Sequence, residues 1–218
     1  MNINRTEAKE IKKIYTSIKP SIEARMEDFS RLGRYGSDED IFAELTFCLF
    51  TPQSKAKFCW SAVQNLLRKK LLFEGSAEEI AENIKNIRFR NNKAKYVVYA
   101  RNLFRPAGQL DIREEIKKFW HIREARDWLV KKVKGFGYKE ASHFLRNIGY
   151  GENLAILDRH ILKNLKLLGA IFKIPKNISA RKYLEIEKRF ISLAKILKIP
   201  PAHLDLVLWY REVGEIFK

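Results

Sequence analysis

The chain has 218 residues, 46% hydrophobic and 32% charged; that balance excludes a disordered chain and suffices for one large domain or two small ones sharing a core. Lys and Arg number 43 against 26 Asp and Glu, a formal net charge of +17, and self-repulsion of that size points to a polyanionic partner, with nucleic acid ahead of a membrane surface or a merely solvated lysine coat. Two cysteines, Cys48 and Cys59, with no Cys-x-x-Cys pair exclude a zinc or iron–sulfur ligand set.

The N-terminal MNINRTEAKEIKKIY lacks the apolar run of a signal peptide. No stretch approaches roughly 18 consecutive apolar residues, so a soluble, cytoplasmic protein without membrane association is expected. Helical periodicity then dominates. Ser37 caps the run IFAELTFCLF, with Asp40 at the favourable positive end. That run is apolar on nearly all sides, which predicts a helix at the centre of the fold, ending where Pro52 breaks the pattern. A capping box, Ser76-Ala-Glu-Glu79, opens a short helix toward Ile87. A further helix spans Lys93 to Phe104. Asp111 to Val133 reads as two helices broken near His121. After Gly135-Phe-Gly137 an amphipathic helix runs from Tyr138 to Ile148, and another from Asp158 to Leu168. Ser179 caps a long helix to about Leu197, Pro200 and Pro201 stop it, and a last helix carries Leu204, Leu208 and Trp209. The fold class is all-α, a helical bundle with short loops.

The chemistry concentrates in Val133-Lys-Gly-Phe-Gly-Tyr-Lys-Glu-Ala-Ser142. Two glycines around one apolar residue, between two helices, make a tight helix-hairpin-helix turn. Backbone amides there can approach a phosphate, and the following helix adds its own N–H groups and dipole. A GxG alone is as readily a plain helix connection. Lys139 falls in the first turn of the new helix, where a cation is out of place for stability. Such a position, with burial, favours the neutral amine that can attack a sugar carbon and form a Schiff base. Asp158 follows nineteen residues on, in Ile156-Leu-Asp-Arg-His160. As an N-cap its carboxylate would be held rigidly, ready to stabilise positive charge on a sugar. Phe89 has basic Arg88, Arg90 and Lys93 around it, which suggests contact with DNA.

The set of hairpin glycines, Lys139 and Leu-Asp158 resembles the helix-hairpin-helix DNA glycosylase superfamily, which includes endonuclease III. The string GFGYKEASHFLRNIGY…LAILDRHIL is similar to the type-2 8-oxoguanine DNA glycosylases of archaea and thermophiles. The likeness runs from about Glu23 to Lys218 and takes in ELTFCLFTPQS, the segment from Arg88 to Ala94, RKYLEIE, and LDLVLWY with a final lysine. The resemblance implies two helical lobes with the active site in the cleft between them. Residues 30–160 would form a lobe carrying the hairpin at about 125–148, and 1–29 with 161–218 a second lobe bearing the base pocket.

By the same resemblance Lys139 is the nucleophile and Asp158 its electrostatic partner. Gly135, Gly137 and His160 would contact phosphate. Trp209, the final Lys218 with its carboxylate, and Asp205 would enclose the flipped base. Gln53 and Ser54 lie in the loop that fills the gap left in the duplex, with Phe89 a second candidate for insertion. The carbonyls of Lys131, Val133 and Phe136 match a backbone site for Na+ or K+; no other cofactor and no iron–sulfur cluster are implied. The implied activity is excision of 8-oxoguanine from double-stranded DNA with strand cleavage by β-elimination, performed by a monomer associated with the nucleoid. A glycosylase for another oxidised base, and a non-enzymatic helix-hairpin-helix DNA-binding module, remain open as alternatives.

Overall fold

The computed structural model describes residues 3–105 and 108–218, and among them every regular element is a helix. In chain order these are α1 (Arg5–Tyr35), α2 (Asp38–Phe50), α3 (Ala56–Arg68), α4 (Leu71–Glu74), α5 (Ala77–Asn83), α6 (Arg90–Leu103), α7 (Ile112–Lys117), α8 (Ile122–Lys132), α9 (Tyr138–Asn147), α10 (Arg159–Leu167), α11 (Ala180–Leu197) and α12 (Pro201–Val213). The expected caps hold the expected ends. Ser37 and Ser76 each complete a capping box, with Asp40 and Glu79 respectively, and Ser179 accepts from the Lys182 amide.

Helix α1 is the element that periodicity did not predict. Asn4 caps it, accepting from the Thr6 and Glu7 amides at 3.1 and 3.3 Å. It then runs through Pro20 without ending, although proline normally interrupts a helix interior. Packing supplies the reason: Ile11 and Ile22, on either side of the proline, are fully buried, and α1 lies along α12 and α9.

The core forms two apolar clusters. The first gathers α2 with residues of α3, α5, α6, α7, α8 and α9, ending at Leu154. Its centre is α2, in which every residue from Ile41 to Phe50 is buried. The second gathers Ile11 and Ile22 of α1 with Ala155 and residues of α10, α11 and α12. The chain passes from one cluster to the other at 154–155, three residues before Asp158.

That crossing segment has no helix or sheet to pair its backbone, and buried amides and carbonyls left unpaired are costly. Side chains of α11 pair them instead. Glu187 accepts from the Ala155 amide at 3.0 Å. The Tyr183 hydroxyl donates to the Ala155 carbonyl at 2.5 Å and accepts from the Leu157 amide at 3.3 Å. Glu187 is itself held by a two-pronged ion pair with Arg126 of α8, at 2.5 and 3.0 Å. Arg126 also donates to Ser142 of α9 at 3.3 Å and lies 5.0 Å from the centre of the Tyr138 ring. Both charged partners are almost wholly buried, so losing one strands the other in a medium that solvates it poorly. Arg126→Ala is expected to lower the unfolding free energy by about 3–5 kcal/mol, read from the denaturant midpoint, whereas Arg123→Ala on the exposed side of α8 should change it by less than about 0.5 kcal/mol.

Candidate active site

The hairpin between α8 and α9 occupies residues 133–137. The Phe136 amide donates to the Val133 carbonyl at 3.1 Å, closing the turn. Gly135 has φ +90°, and a Cβ there would sit 2.5 Å from the Tyr96 ring of α6, so both backbone and neighbour require glycine. Gly137 is extended, and its Cβ would meet only the Glu140 carboxylate, at 3.1 Å. The Gly137 amide donates to that same carboxylate at 3.1 Å, and the second helix of the hairpin starts one residue on.

Lys139 emerges from the first turn of α9 with its side chain about one-fifth exposed. Its Nζ lies 3.1 Å from Oε1 of Glu140 and 3.2 Å from the Thr51 hydroxyl. Asp158 is the N-cap of α10: one carboxylate oxygen accepts from the His160 and Ile161 amides at 2.9 and 2.8 Å. Its approach is set by the crossing segment described above. The Asp205 carboxyl of α12 feels both groups. Burial first, and then the charge of Asp158, push it up to about 7 against the pull of Arg146 and Lys139. Asp205 and Arg146 pair at 3.4 Å in the interior, and burial holds the Arg146 guanidinium below its ordinary value as well.

A buried polar chain leads from Asp205 to the end of the sequence. Arg146 donates to Asn147 at 3.0 Å, and Asn147 donates to Glu44 of α2 at 3.0 Å. Glu44 in turn pairs with the Lys218 ammonium. That ammonium stands 3.3 Å from the centre of the Trp60 ring and 5.6 Å from that of Phe47, a cation–π seat. His143, one turn beyond Lys139, is buried edge-on to Phe47. Burial, with Arg146 and Lys139, pulls its imidazole well below the ordinary value, so it is neutral. Trp209 packs edge-on against His160 at 5.2 Å between centroids, and His160 faces Glu212 at 3.8 Å.

The loop after α2 and the turn before α6 meet. Gln53 and Phe89 both have left-handed backbones, φ +57° and +58°, and the Arg88 amide donates to the Ser54 hydroxyl at 3.1 Å. Phe89 is 53% exposed with the Arg88 guanidinium 5.0 Å from its ring centre. Lys93 departs from the sequence reading: it is not part of a basic rim around Phe89 but is buried. One helical turn past Phe89 it faces inward, donating to the Phe50 and Pro52 carbonyls at 2.7 Å each. It thereby caps the C-terminal end of α2, and burial lowers its ammonium to about 8.

The chain matches the family described as 8-oxoguanine DNA glycosylase over residues 22–199. The chain belongs to that family. It is 44% identical to a Fusobacterium nucleatum protein named 8-oxoguanine DNA glycosylase/AP lyase, the match covering 96% of each chain. Its fold is that of the 8-oxoguanine DNA glycosylase of Thermotoga maritima, with a TM-score of 0.86, 37% identity, and 97% and 98% of the two chains covered. The Methanocaldococcus jannaschii 8-oxoguanine glycosylase/lyase in complex with a 15mer DNA containing 8-oxoguanine gives a TM-score of 0.87 at 35% identity, over 97% and 99% of the chains.

Within this glycosylase fold, sequence reasoning missed Glu44, Arg146, Asn147, His143, Trp60 and Glu140. For Glu44 a signal existed: it is a charge inside an otherwise apolar central helix, and such a charge is retained only with a partner. For Trp60 and His143 there was none, since aromatic residues on a helix are ordinarily core. A carboxyl whose folded value lies above its unfolded one takes up a proton on folding, so its effect on stability worsens as pH rises between the two values. For Asp205 that interval runs from roughly 4 to about 7. Asp205→Asn is expected to flatten the decline in denaturant midpoint across this interval, read from urea midpoints at a series of pH values.

Proposed function

We propose that the chain excises 8-oxoguanine from duplex DNA and cleaves the resulting strand through a Schiff base on Lys139. The observation that carries this reading is an amine in the first turn of the hairpin's second helix together with a carboxylate held rigidly as the N-cap of the next helix. The names borne by the relatives support the same chemistry.

A base cannot react while stacked and paired, and extruding it costs on the order of a few kcal/mol. The +17 charge favours the phosphate contacts that offset this cost. The amides of the hairpin at Gly135 and Gly137 would hold a phosphate beside the lesion, with His160 a further contact. The carbonyls of Lys131, Val133 and Phe136 would hold a monovalent cation that adds positive charge beneath that phosphate. Val133 already accepts one hydrogen bond, from the Phe136 amide, and a carbonyl has a second lone pair to give. Gln53, Ser54 and Phe89, joined in one surface feature, would fill the vacated stack. Trp209, Asp205 and Lys218 would enclose the extruded base.

In the reaction, the Lys139 nitrogen bonds to C1′ of the sugar as the bond from C1′ to the base breaks, the electron pair leaving with the base. The Asp158 carboxylate opposes the positive charge that builds on the sugar. Opening of the sugar ring leaves an imine between Lys139 and C1′. Loss of a proton from C2′ then expels the 3′ phosphate by β-elimination, and hydrolysis of the imine frees the lysine.

Borohydride should trap wild-type protein covalently on a duplex bearing one 8-oxoguanine. Lys139→Gln should bind that duplex within a few-fold of wild type and give no adduct; an adduct with this variant would move the nucleophile elsewhere. Deleting Lys218 should slow excision of 8-oxoguanine by more than tenfold while sparing trapping on a preformed abasic site. Equal loss on both substrates would remove Lys218 from the base pocket.

A further inference from the structure

Glu140 touches two functional groups at once. Its Oε2 accepts from the Gly137 amide at 3.1 Å, and its Oε1 lies 3.1 Å from the Lys139 ammonium. One carboxylate therefore occupies a hairpin amide and also neutralises the amine that must attack. A Glu at the third position of a helix commonly closes a capping box, and that role accounts for the first contact alone. The second contact opposes attack, because an ammonium held in an ion pair has no lone pair to donate and its nitrogen is kept on the carboxylate.

The two contacts cannot both persist in a DNA complex. A phosphate on the Gly137 amide competes with Glu140 for the same hydrogen and repels its charge. Resting on the reading above, in which the hairpin binds phosphate and Lys139 attacks, we propose that Glu140 is a positioning residue that reports phosphate occupancy of the hairpin to the nucleophile. In free protein it holds Lys139 in an ion pair. When DNA phosphate takes the amide, the carboxylate swings away and Lys139 is released beside the extruded sugar. The attacking amine is thus restrained until DNA is seated.

The other titratable groups around Lys139 come from every element packed on it. Cys48 of α2 and Cys59 of α3 are pushed up by burial, Cys59 to about 11, and are neutral thiols. His143 of α9 is neutral. Lys93 of α6 and Asp205 of α12 titrate near 8 and 7. Cys48 and Lys93 also feel the Glu140 charge, but neither attacks the sugar in the reading above, so the comparison of wild type with Glu140→Gln is read from trapping at Lys139. The glutamine oxygen can still accept from Gly137 and keep the cap.

The experiment is the pH dependence of borohydride trapping on an 8-oxoguanine duplex under single-turnover conditions. Rates at limiting protein report the free protein's ionisations, and rates at saturation report those of the complex. Glu140→Gln is expected to move the acid limb at limiting protein down by about one pH unit and to leave the limb at saturation where it is. A helix cap with no further role would move neither limb, and an ion pair that persists on DNA would move both equally; either result overturns the proposal. Wild type that fails to trap at any pH would overturn the Schiff-base reading together with this one.

A second measurement needs no variant. Replacing single phosphates flanking the lesion by neutral methylphosphonate should, at one position, leave Glu140 in place and raise the wild-type limb at saturation by about one unit. Loss of a DNA charge acting only through space would lower that limb, and a lowered or unmoved limb at every position would overturn the proposal.

Discussion

The buried Arg126–Glu187 pair is the constraint on which the active site depends. It joins the first helix of the hairpin to α11, and between them runs the segment that ends at Asp158. Lys139, the proposed nucleophile, and Asp158, its proposed carboxylate partner, belong to different helices, and the chain between them crosses from one apolar cluster to the other. Without Glu187 and Tyr183 the amides of Ala155 and Leu157 would be buried and unpaired, and the segment would have no reason to hold one path. A buried ion pair adds little net stability compared with a well-packed apolar substitute. What it supplies here is geometry: the guanidinium fork fits one carboxylate orientation, and that carboxylate fixes one backbone.

The same low-dielectric interior shapes the rest of the site. Glu44, Asn147, Arg146 and Asp205 form a line of buried polar groups beneath the site, each hydrogen-bonded to the next. Such a chain is costly if any member is removed, and it holds its neighbours rigidly while intact. It leads from the helix carrying Trp209 to Lys218, which sits over Trp60 as a cation on an aromatic face. Two of the groups proposed to enclose a base, Asp205 and Lys218, are thus tied to α9 and α2 respectively. Lys139 leans on Glu140 and on Thr51, the latter in the loop expected to fill the duplex gap. The amine is therefore in contact with both the hairpin helix and that loop.

Most of the helices were legible because their ends carry their own chemistry. Ser37, Ser76, Asp158 and Ser179 each cap a helix by bonding to its free amides, a contact made within three residues and independent of the fold. Helix α1 was not legible, because its local signal is broken at Pro20 and its order comes from packing against distant helices. The hairpin was legible from its glycines, although Gly135 owes its identity to a left-handed backbone and to the Tyr96 ring as well as to any approaching phosphate. Lys93 shows the opposite failure. Its neighbours in sequence suggested a basic surface, while the helix turns it inward onto the carbonyls of α2.

The sequence by itself determined the helical class and the hairpin, because capping and glycine conformation act over a few residues. Only the tertiary structure decided which buried charges meet. Arg126 and Glu187, Glu44 and Lys218, and Arg146 and Asp205 lie far apart along the chain. No local rule links such pairs. They are selected by the requirement that every charge carried into the core arrive opposite a partner, and that requirement takes effect only once the helices have packed.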